Sequence, residues 1–575
     1  MDKILWKPDN NQQTHFNHFI DLVNSKYELD LKTYDDLYDW SVNNIPQFWE
    51  NTLDYSDIVY SGTYDRVIDN LKIKPGVKWF PGISLNFAEN LLKYRDDKTA
   101  IISKIENHPQ RKITYHQLFI EVEKLAASLR DLGVTRGDRV AGFLPNIPEA
   151  IIAMLAAASI GAIWSSSSPD FGIKSVTDRF SQIQPKIIFS ASAYLYNGKS
   201  FSSIDKLQEI IKQLPTIEKV IIVDYLDTQP DYSKITNSVD YNSLISNEPD
   251  PIDFEQVPFD HPLYVLYTSG TTGLPKSIVH GTGGTLVQHK KEFLLHCDVD
   301  REDVVFYYTT CGWMMWNWLV SFLSTGATIV LYDGSPFHPD PKAMWNMIDE
   351  LGITIFGTSA KFIDACKCND LTPKTFASLS TLRTILSTGS PLVDESFDYV
   401  YEHIKPSVQL GSISGGTDLI SCFALASPVL PVYRGELQCR GLGMDVDAFD
   451  ENGNSVRNKK GELVCKSPFP SMPVFFWNDD SGDKYRKAYF DKFPSVWAHG
   501  DFIEINERGG LKIFGRSDAT LNPGGIRIGT AEIYRVVEAF NEISDSLVIG
   551  QEWKGDQRMI LFLKLSDSYE INDDL

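Results

Sequence analysis

Residues Tyr267 to Lys276, YTSGTTGLPK, place two glycines, four Ser/Thr hydroxyls and one lysine within ten positions. Glycine lets a backbone approach a ligand closely. Consecutive N–H groups in such a turn form an anion nest. Hydroxyls and an ammonium add donors suited to phosphate oxygens. The Walker A pattern is not met, because the glycines are three apart and the lysine stands three beyond the second. Taken alone, the segment reads equally well as a hairpin loop solvated by its hydroxyls. Cys366-x-Cys368 is the other eye-catching pair, but it lacks the partner cluster that a metal site needs.

The elements around this loop set its stage. An apolar, strand-like run, Leu263 to Leu266, leads into it. Upstream, Thr114 with Gln117 three residues later predicts a capping box. Leu118, Val122, Leu125, Leu129 and Leu132 then mark one apolar helix face, and Gly133 sits where a C′ glycine belongs. A strand is predicted at Val140 to Leu144, then a helix from about Glu149. Further buried strands are predicted at Ile187–Phe189 and Val220–Val223, with a helix at about 203–214 between them. This alternation implies a mainly parallel sheet covered by helices. The aromatic-rich first hundred residues, with Trp6, Tyr34, Tyr38, Trp40, Phe48 and Trp49, read as a helical cap on a larger body.

The chain has 575 residues, 43% hydrophobic and 23% charged, which excludes disorder as its main state. Its 54 Lys+Arg against 76 Asp+Glu give a net charge of −22. That balance disfavours nucleic acid and anionic membranes as partners, since both call for a basic face. The longest apolar run, Ala150 to Trp164, is 15 residues; a bilayer span needs about 20, so a buried helix is expected. The N-terminus shows no secretory apolar region, and seven irregularly spaced cysteines suggest no disulfide framework. A cytoplasmic protein is expected. Nothing in the sequence speaks to oligomeric state.

YTSGTTGLPK resembles the phosphate-binding signature of the adenylate-forming superfamily, which includes acyl-CoA synthetases, luciferases and peptide-synthetase adenylation domains. Other motifs of that family follow in order. They are Gly389-Ser390-Pro391, Gly415-Gly416-Thr417-Asp418, Trp497 to Asp501, Phe514 to Asp518, and Asn522 to Thr530 with Glu532. The resemblance runs from about residue 35 to near the end. It implies an α/β fold: a large N-terminal adenylate-forming domain of several subdomains, with mixed, helix-covered sheets, and a small α+β C-terminal domain. The expected division is a cap at 1–97, an AMP-binding catalytic domain at 98–517 and a hinge domain at 518–575.

The resemblance also implies roles. ATP, CoA and Mg²⁺ would be required. Ser269, Gly270, Thr271, Thr272, Gly273 and Lys276 would hold the β- and γ-phosphates. Gly389, Ser390 and Pro391 would pack along the adenine, and Gly416 would line the nucleotide site. Thr417 would contact the α-phosphate and Asp418 would hold Mg²⁺, where the family more often has Glu. Asp501 would bind the ribose hydroxyls. Arg516 and Arg527 would reach ribose and phosphate, or else form surface ion pairs. Catalysis would fall to Lys276, Thr417, Asp418 and Arg527. Asp518 would be the hinge. Gly524 and Gly525 would let the pantetheine arm of CoA pass. Lys199 would either meet a CoA phosphate or be a solvated loop lysine.

For the acid, Trp313, Met314 and Met315 would form one wall, and Asn317 and Ser414 would offer hydrogen bonds to a second oxygen. Acetate-specific relatives close this pocket with Trp where this chain has Gly415, so a longer acid is expected. The strings Trp164 to Gly172, Ser412 to Asp418 and Pro468 to Pro473 resemble the branch that activates acetoacetate. Acetate, propionate and butyrate are the alternatives. Only 57 residues follow Asp518, and the family's late lysine motif is not among them. The resemblance therefore also implies an incomplete small domain, with an adenylate-binding chain of impaired catalysis as a further alternative.

Overall fold

The computed structural model describes residues 3–9, 12–227, 230–246, 251–268, 274–517, 520–521, 528–537, 540, 542–553, 556–566 and 569. Three helices open the chain: His15–Tyr27, Tyr34–Asn43 and Ile45–Tyr55. The first two begin with reciprocal capping boxes, Thr14 with Asn17 and Thr33 with Asp36. Their aromatic residues face inward; Phe19, Phe48 and Trp49 are fully buried. Tyr34 and Tyr38 donate hydroxyl hydrogen bonds to the carbonyls of Arg440 and Met444 at 2.6 and 3.0 Å. The aromatic segment thus packs against the body through these helices.

Two large sheets form the body. The first has eight strands. Five of its parallel strands are Lys219–Val223, Ile187–Ala191, Arg139–Phe143, Ile163–Ser167 and Pro262–Thr268, and Lys276–Gly281 returns antiparallel from the last. The second has seven strands. It includes the parallel run Gln409–Ser412, Thr384–Thr388, Ile355–Ser359, Val304–Tyr307 and Thr328–Asp333. The predicted helix after Thr114 spans Tyr115–Asp131 with its capping box in place. The long apolar run resolves into the helix Pro148–Ser159, buried on nearly all sides, and the strand Ile163–Ser167. Among the described residues no helix is long and apolar enough to cross a membrane.

A four-stranded antiparallel sheet follows: Val446–Phe449, Gly461–Cys465, Trp497–Ile505 and Leu511–Arg516. Beyond it lie the helix Thr530–Val537 and the hairpin Ile543–Trp553 with Asp556–Leu565. The arrangement is the expected α/β body followed by smaller α+β elements.

Candidate active site

A cleft of about 500 Å³ opens where the parallel strands of both sheets end. Open α/β sheets bind ligands at the carboxyl ends of their strands, and the lining follows that rule. Tyr267 comes from the end of Pro262–Thr268, Thr388 to Pro391 from the end of Thr384–Thr388, and Ser412 from the end of Gln409–Ser412. Gly389 takes φ +90°. That left-handed conformation turns the chain sharply out of its strand and favours glycine.

Gly416, Thr417 and Asp418 form the opposite wall. They stand at the end of the short strand Ser414–Gly416, which pairs antiparallel with Ser421–Leu425 through an irregular register at Ser414/Gly415. The Tyr489 hydroxyl donates to Asp418 Oδ1 at 2.5 Å. Tyr489 is itself fixed by stacking on Trp497, with centroids 3.7 Å apart and planes 11° apart. Asp418 Oδ2 lies 3.7 Å from the point where a Gly416 side chain would begin. One carboxylate oxygen is therefore tethered and the other is turned toward the cleft lining. Lys276 reaches the same place, its Nζ 5.8 Å from the Tyr489 ring centroid. His280 is buried beside Thr417 and Asp418. Burial lowers its pKa to about 3, so the ring is neutral.

Asp501 and Arg516 face each other as cross-strand partners of one antiparallel pair. Arg516 Nη1 is 3.7 Å from Asp501 Oδ1 and donates to the His499 carbonyl at 3.4 Å. Gly500 between them has φ +85°, and an added Cβ would sit 2.8 Å from Arg516 Nη2. Buried Glu462 accepts from the Gly500 N–H and the Ser517 hydroxyl, both at 2.9 Å. It ties the ends of these two strands together.

Trp313, Met314 and Met315 line the cleft mouth, with Trp313 52% exposed. Ser414 and Gly415 also line it. Asn317 does not; it is fully buried on the helix Met314–Ser321. At Gly415 the structure departs from the expectation of a pocket opened by a missing side chain. Its missing side chain does not leave room in the cleft, because an added Cβ would lie 2.0 Å from the Ser421 carbonyl oxygen and 2.4 Å from the Cys422 Cα. Glycine is required there by the close approach of two backbones. Ser269, Gly270, Thr271, Thr272, Gly273, Asp518, Gly524, Gly525 and Arg527 lie outside the described residues.

Sequence reasoning missed Arg179, Tyr489 and Glu462. Arg179 lines the cleft with its guanidinium 5.1 Å from the Phe171 ring and 5.8 Å from Tyr267; burial lowers its pKa. For Tyr489, the only available hint is the Tyr485/Tyr489 pair one helical turn apart, just before Trp497.

A second cavity of about 330 Å³ adjoins the turn that carries Phe171. Ser168, Pro169, Tyr194, Tyr196, Phe201, Tyr308 and Asp333 are in its lining. The hairpin Ala193–Tyr196 with Lys199–Ser202 forms one side, and Lys199 is exposed on it. Its turn is anchored by Glu106, which accepts from the N–H groups of Asn197 and Gly198 at 3.1 and 2.6 Å.

Residues 87–473 match the family described as AMP-binding enzyme, and residues 34–91 match the acetyl-coenzyme A synthetase N-terminus. The acetoacetyl-CoA synthetase of Gallus gallus is 51% identical over the whole of this chain and 88% of its own length. That of Rhizobium meliloti is 47% identical with the same coverage. The solved structure of acetoacetyl-CoA synthetase from Streptomyces lividans superimposes with a TM-score of 0.93 at 43% identity, covering 100% of this chain and 88% of the other. This chain belongs to the AMP-binding enzyme family, in the branch of the acetoacetyl-CoA synthetases.

Proposed function

We propose that the protein activates acetoacetate with ATP and passes the acyl group to CoA. In the first half-reaction a carboxylate oxygen attacks the α-phosphorus and the bond to the β-phosphate oxygen breaks, releasing pyrophosphate. In the second the CoA sulfur attacks the acyl carbon, its thiol proton goes to solvent, and AMP leaves. The observation that carries this reading is one cleft holding Gly389–Pro391, Thr417–Asp418 and the Asp501–Arg516 pair together, in a chain 51% identical to an acetoacetyl-CoA synthetase.

Asp501 takes the ribose hydroxyls, with Arg516 and the Glu462-bound Gly500 fixing its place. Gly389 to Pro391 form the wall for adenine. Thr417 would donate to the α-phosphate, and Lys276, with its Nζ over the Tyr489 ring, would reach the other phosphates. Asp418 suits Mg²⁺, which takes one or two carboxylates and completes its shell with water and substrate phosphates. Asp418 would hold the ion together with the nucleotide phosphates, and Mg²⁺ there would supply positive charge against the leaving pyrophosphate. Trp313, Met314, Met315 and Ser414 line the acid end. Asn317 is fully buried on the same helix and does not line this end. Lys199, exposed on the hairpin beside the aromatic cavity, would meet a CoA phosphate, and Arg179 adds a cation to the cleft itself. With a net charge of −22, both polyanions depend on these local cations against the field of the whole protein. All seven cysteines are thiols, which suits a reducing cytoplasm.

The test is ATP–pyrophosphate exchange with acetate, propionate, butyrate, acetoacetate and 3-hydroxybutyrate. Acetoacetate is expected to give the highest kcat/KM, and a preference for acetate sinks the acid assignment.

A further inference from the structure

The turn that carries Thr417 and Asp418 ends on a strained residue. Ile420 has φ +49°, a left-handed conformation that β-branched side chains rarely adopt. Such a residue persists only where its surroundings over-determine it. Ile420 also closes the turn: its N–H donates to the Thr417 carbonyl at 3.3 Å, and the Leu419 N–H donates to the Gly416 carbonyl at 3.2 Å.

Three successive residues at this point are gripped by one buried helix, Thr282–Lys291, and its continuation Glu292–His296. His289 Nε2 lies 2.6 Å from the Ile420 carbonyl oxygen. Glu292 Oε1 accepts from the Ser421 hydroxyl and from the Cys422 N–H, the latter at 3.3 Å. A carbonyl only accepts, so Nε2 carries the proton. Burial holds the His289 pKa below its ordinary value, which makes the ring neutral and its Nδ1 an acceptor. The Ser321 hydroxyl lies 2.9 Å from Nδ1 and 2.9 Å from the Asn317 carbonyl, so its one proton is shared between these two acceptors. Ser321 thus steadies the ring at Nδ1 while Nε2 donates to Ile420. On the other side, Trp318 Nε1 donates to Glu292 Oε2 at 2.8 Å, and Lys291 balances the carboxylate's charge from 3.7 Å.

His289, Glu292, Trp318 and Ser321 are all fully buried. Burying such groups carries a desolvation cost that apolar side chains would avoid. Apolar side chains would not, however, hold a carbonyl, a hydroxyl and an N–H of three consecutive residues. We propose that His289 and Glu292 are positioning residues, which clamp Ile420, Ser421 and Cys422 so that the turn presents Thr417 and Asp418 to the nucleotide. This rests on the reading of Thr417 and Asp418 as contacts to the α-phosphate and Mg²⁺.

The experiment compares wild type with His289→Leu, His289→Gln and Ser321→Ala. Leucine removes the donor at similar volume, whereas glutamine keeps an N–H near the position of Nε2. Alanine at 321 removes the hydroxyl beside Nδ1; the Ile420 carbonyl keeps the proton on Nε2, so the ring still donates but is held at one nitrogen only. Two readouts are taken: kcat and KM in acetoacetate-dependent pyrophosphate exchange, and calorimetric ATP binding with and without Mg²⁺, which needs no acid. A displacement of about 1 Å can cost about 10²-fold in rate. His289→Leu is therefore expected to lose about 10- to 100-fold in kcat with KM for ATP within about threefold. The gain in ATP affinity on adding Mg²⁺ should shrink by about tenfold, with magnesium-free affinity unchanged. His289→Gln should recover most of both, and Ser321→Ala should fall between them with a lower melting temperature, because the buried Nδ1 loses its partner.

Wild-type kcat and magnesium gain in His289→Leu would overturn the clamp, as would equal losses in the leucine and glutamine variants. If His289→Leu does not fold, an unaltered Ser321→Ala overturns it instead. Wild type without acetoacetate-dependent exchange, but with a magnesium gain that the variants lose, would refute the acid assignment and support the clamp.

Discussion

Alanine at position 415 adds one methyl group, and the structure dictates where that group goes. It would stand 2.0 Å from the Ser421 carbonyl oxygen and 2.4 Å from the Cys422 Cα. Both neighbours are backbone, so no rotamer change relieves the overlap. An ordinary C···O contact begins at about 3.3 Å. The strands Ser414–Gly416 and Ser421–Leu425 must therefore part by about 1 Å, a shift that reaches Thr417 at the next turn. Overpacking of this kind costs about 1–3 kcal/mol of stability, and a misplacement of about 1 Å costs about 10²-fold in rate.

Gly415→Ala should thus lose about 10²-fold in pyrophosphate exchange with acetoacetate and with acetate alike, and melt at a lower temperature. The ratio of the two acids should stay within about threefold of wild type. If Gly415 instead set the length of the acid pocket, the methyl group would penalise acetoacetate and spare acetate. Full activity in Gly415→Ala, or a tenfold swing toward acetate, would refute the steric reasoning.

Three further outcomes follow from the same geometry. Tyr489→Phe removes the hydroxyl that tethers Asp418 Oδ1; a hydrogen bond to a charged group contributes about 1.5–3 kcal/mol, so kcat for adenylation should fall by about tenfold or more, and an unchanged kcat would count against the tether. Asp501→Asn should raise the KM for ATP by about 10- to 100-fold through weaker hydrogen bonds to ribose, with an unchanged KM counting against Asp501 as the ribose contact. Asp333 sits at the second cavity with the Tyr225 hydroxyl donating to it at 2.5 Å, and burial raises its pKa from 3.8 to about 6. An acid whose folded pKa is raised contributes its stability below the unfolded value and loses it as pH climbs through the folded one. Asp333→Asn should match wild type in stability near pH 4 and exceed it above pH 6 by at most about 3 kcal/mol, a ceiling because the carboxyl faces a cavity. Chemical denaturation at pH 4, 6 and 8 checks this, and a gain independent of pH would contradict it.

Local features were legible in the sequence. The capping box at Thr114, the buried helix within Ala150–Trp164 and the inward-facing aromatic cap each follow from residue type and spacing over a few turns. The motif residues Gly389, Thr417, Asp418, Asp501 and Arg516 were legible as a set, and the structure brings them to one cleft. Their contacts were not. Asp501 and Arg516 are 15 positions apart, and only the antiparallel register sets them opposite each other. Tyr489, Glu462, His289 and Glu292 carry no motif. In sequence they are a helix tyrosine, a strand glutamate and two members of the polar run Gln288 to Glu292, which reads as a solvated helix face although the structure buries it.

Gly415 and Asn317 show why motif reading stops where it does. Side-chain size is written in the sequence, but the direction of a Cα–Cβ bond is set by register and by helix rotation. The register slip at Ser414/Gly415 aims the missing Cβ at a neighbouring strand, and the helix Met314–Ser321 turns Asn317 into the core while Met314 and Met315 reach the cleft. A specificity argument from residue size alone therefore holds only where the side chain is known to point at the ligand. In this chain Trp313, Met314, Met315 and Ser414 line the part of the cleft proposed above for the acid. Gly415 acts there through the backbone, by allowing the strand that carries Thr417 to lie as close as it does.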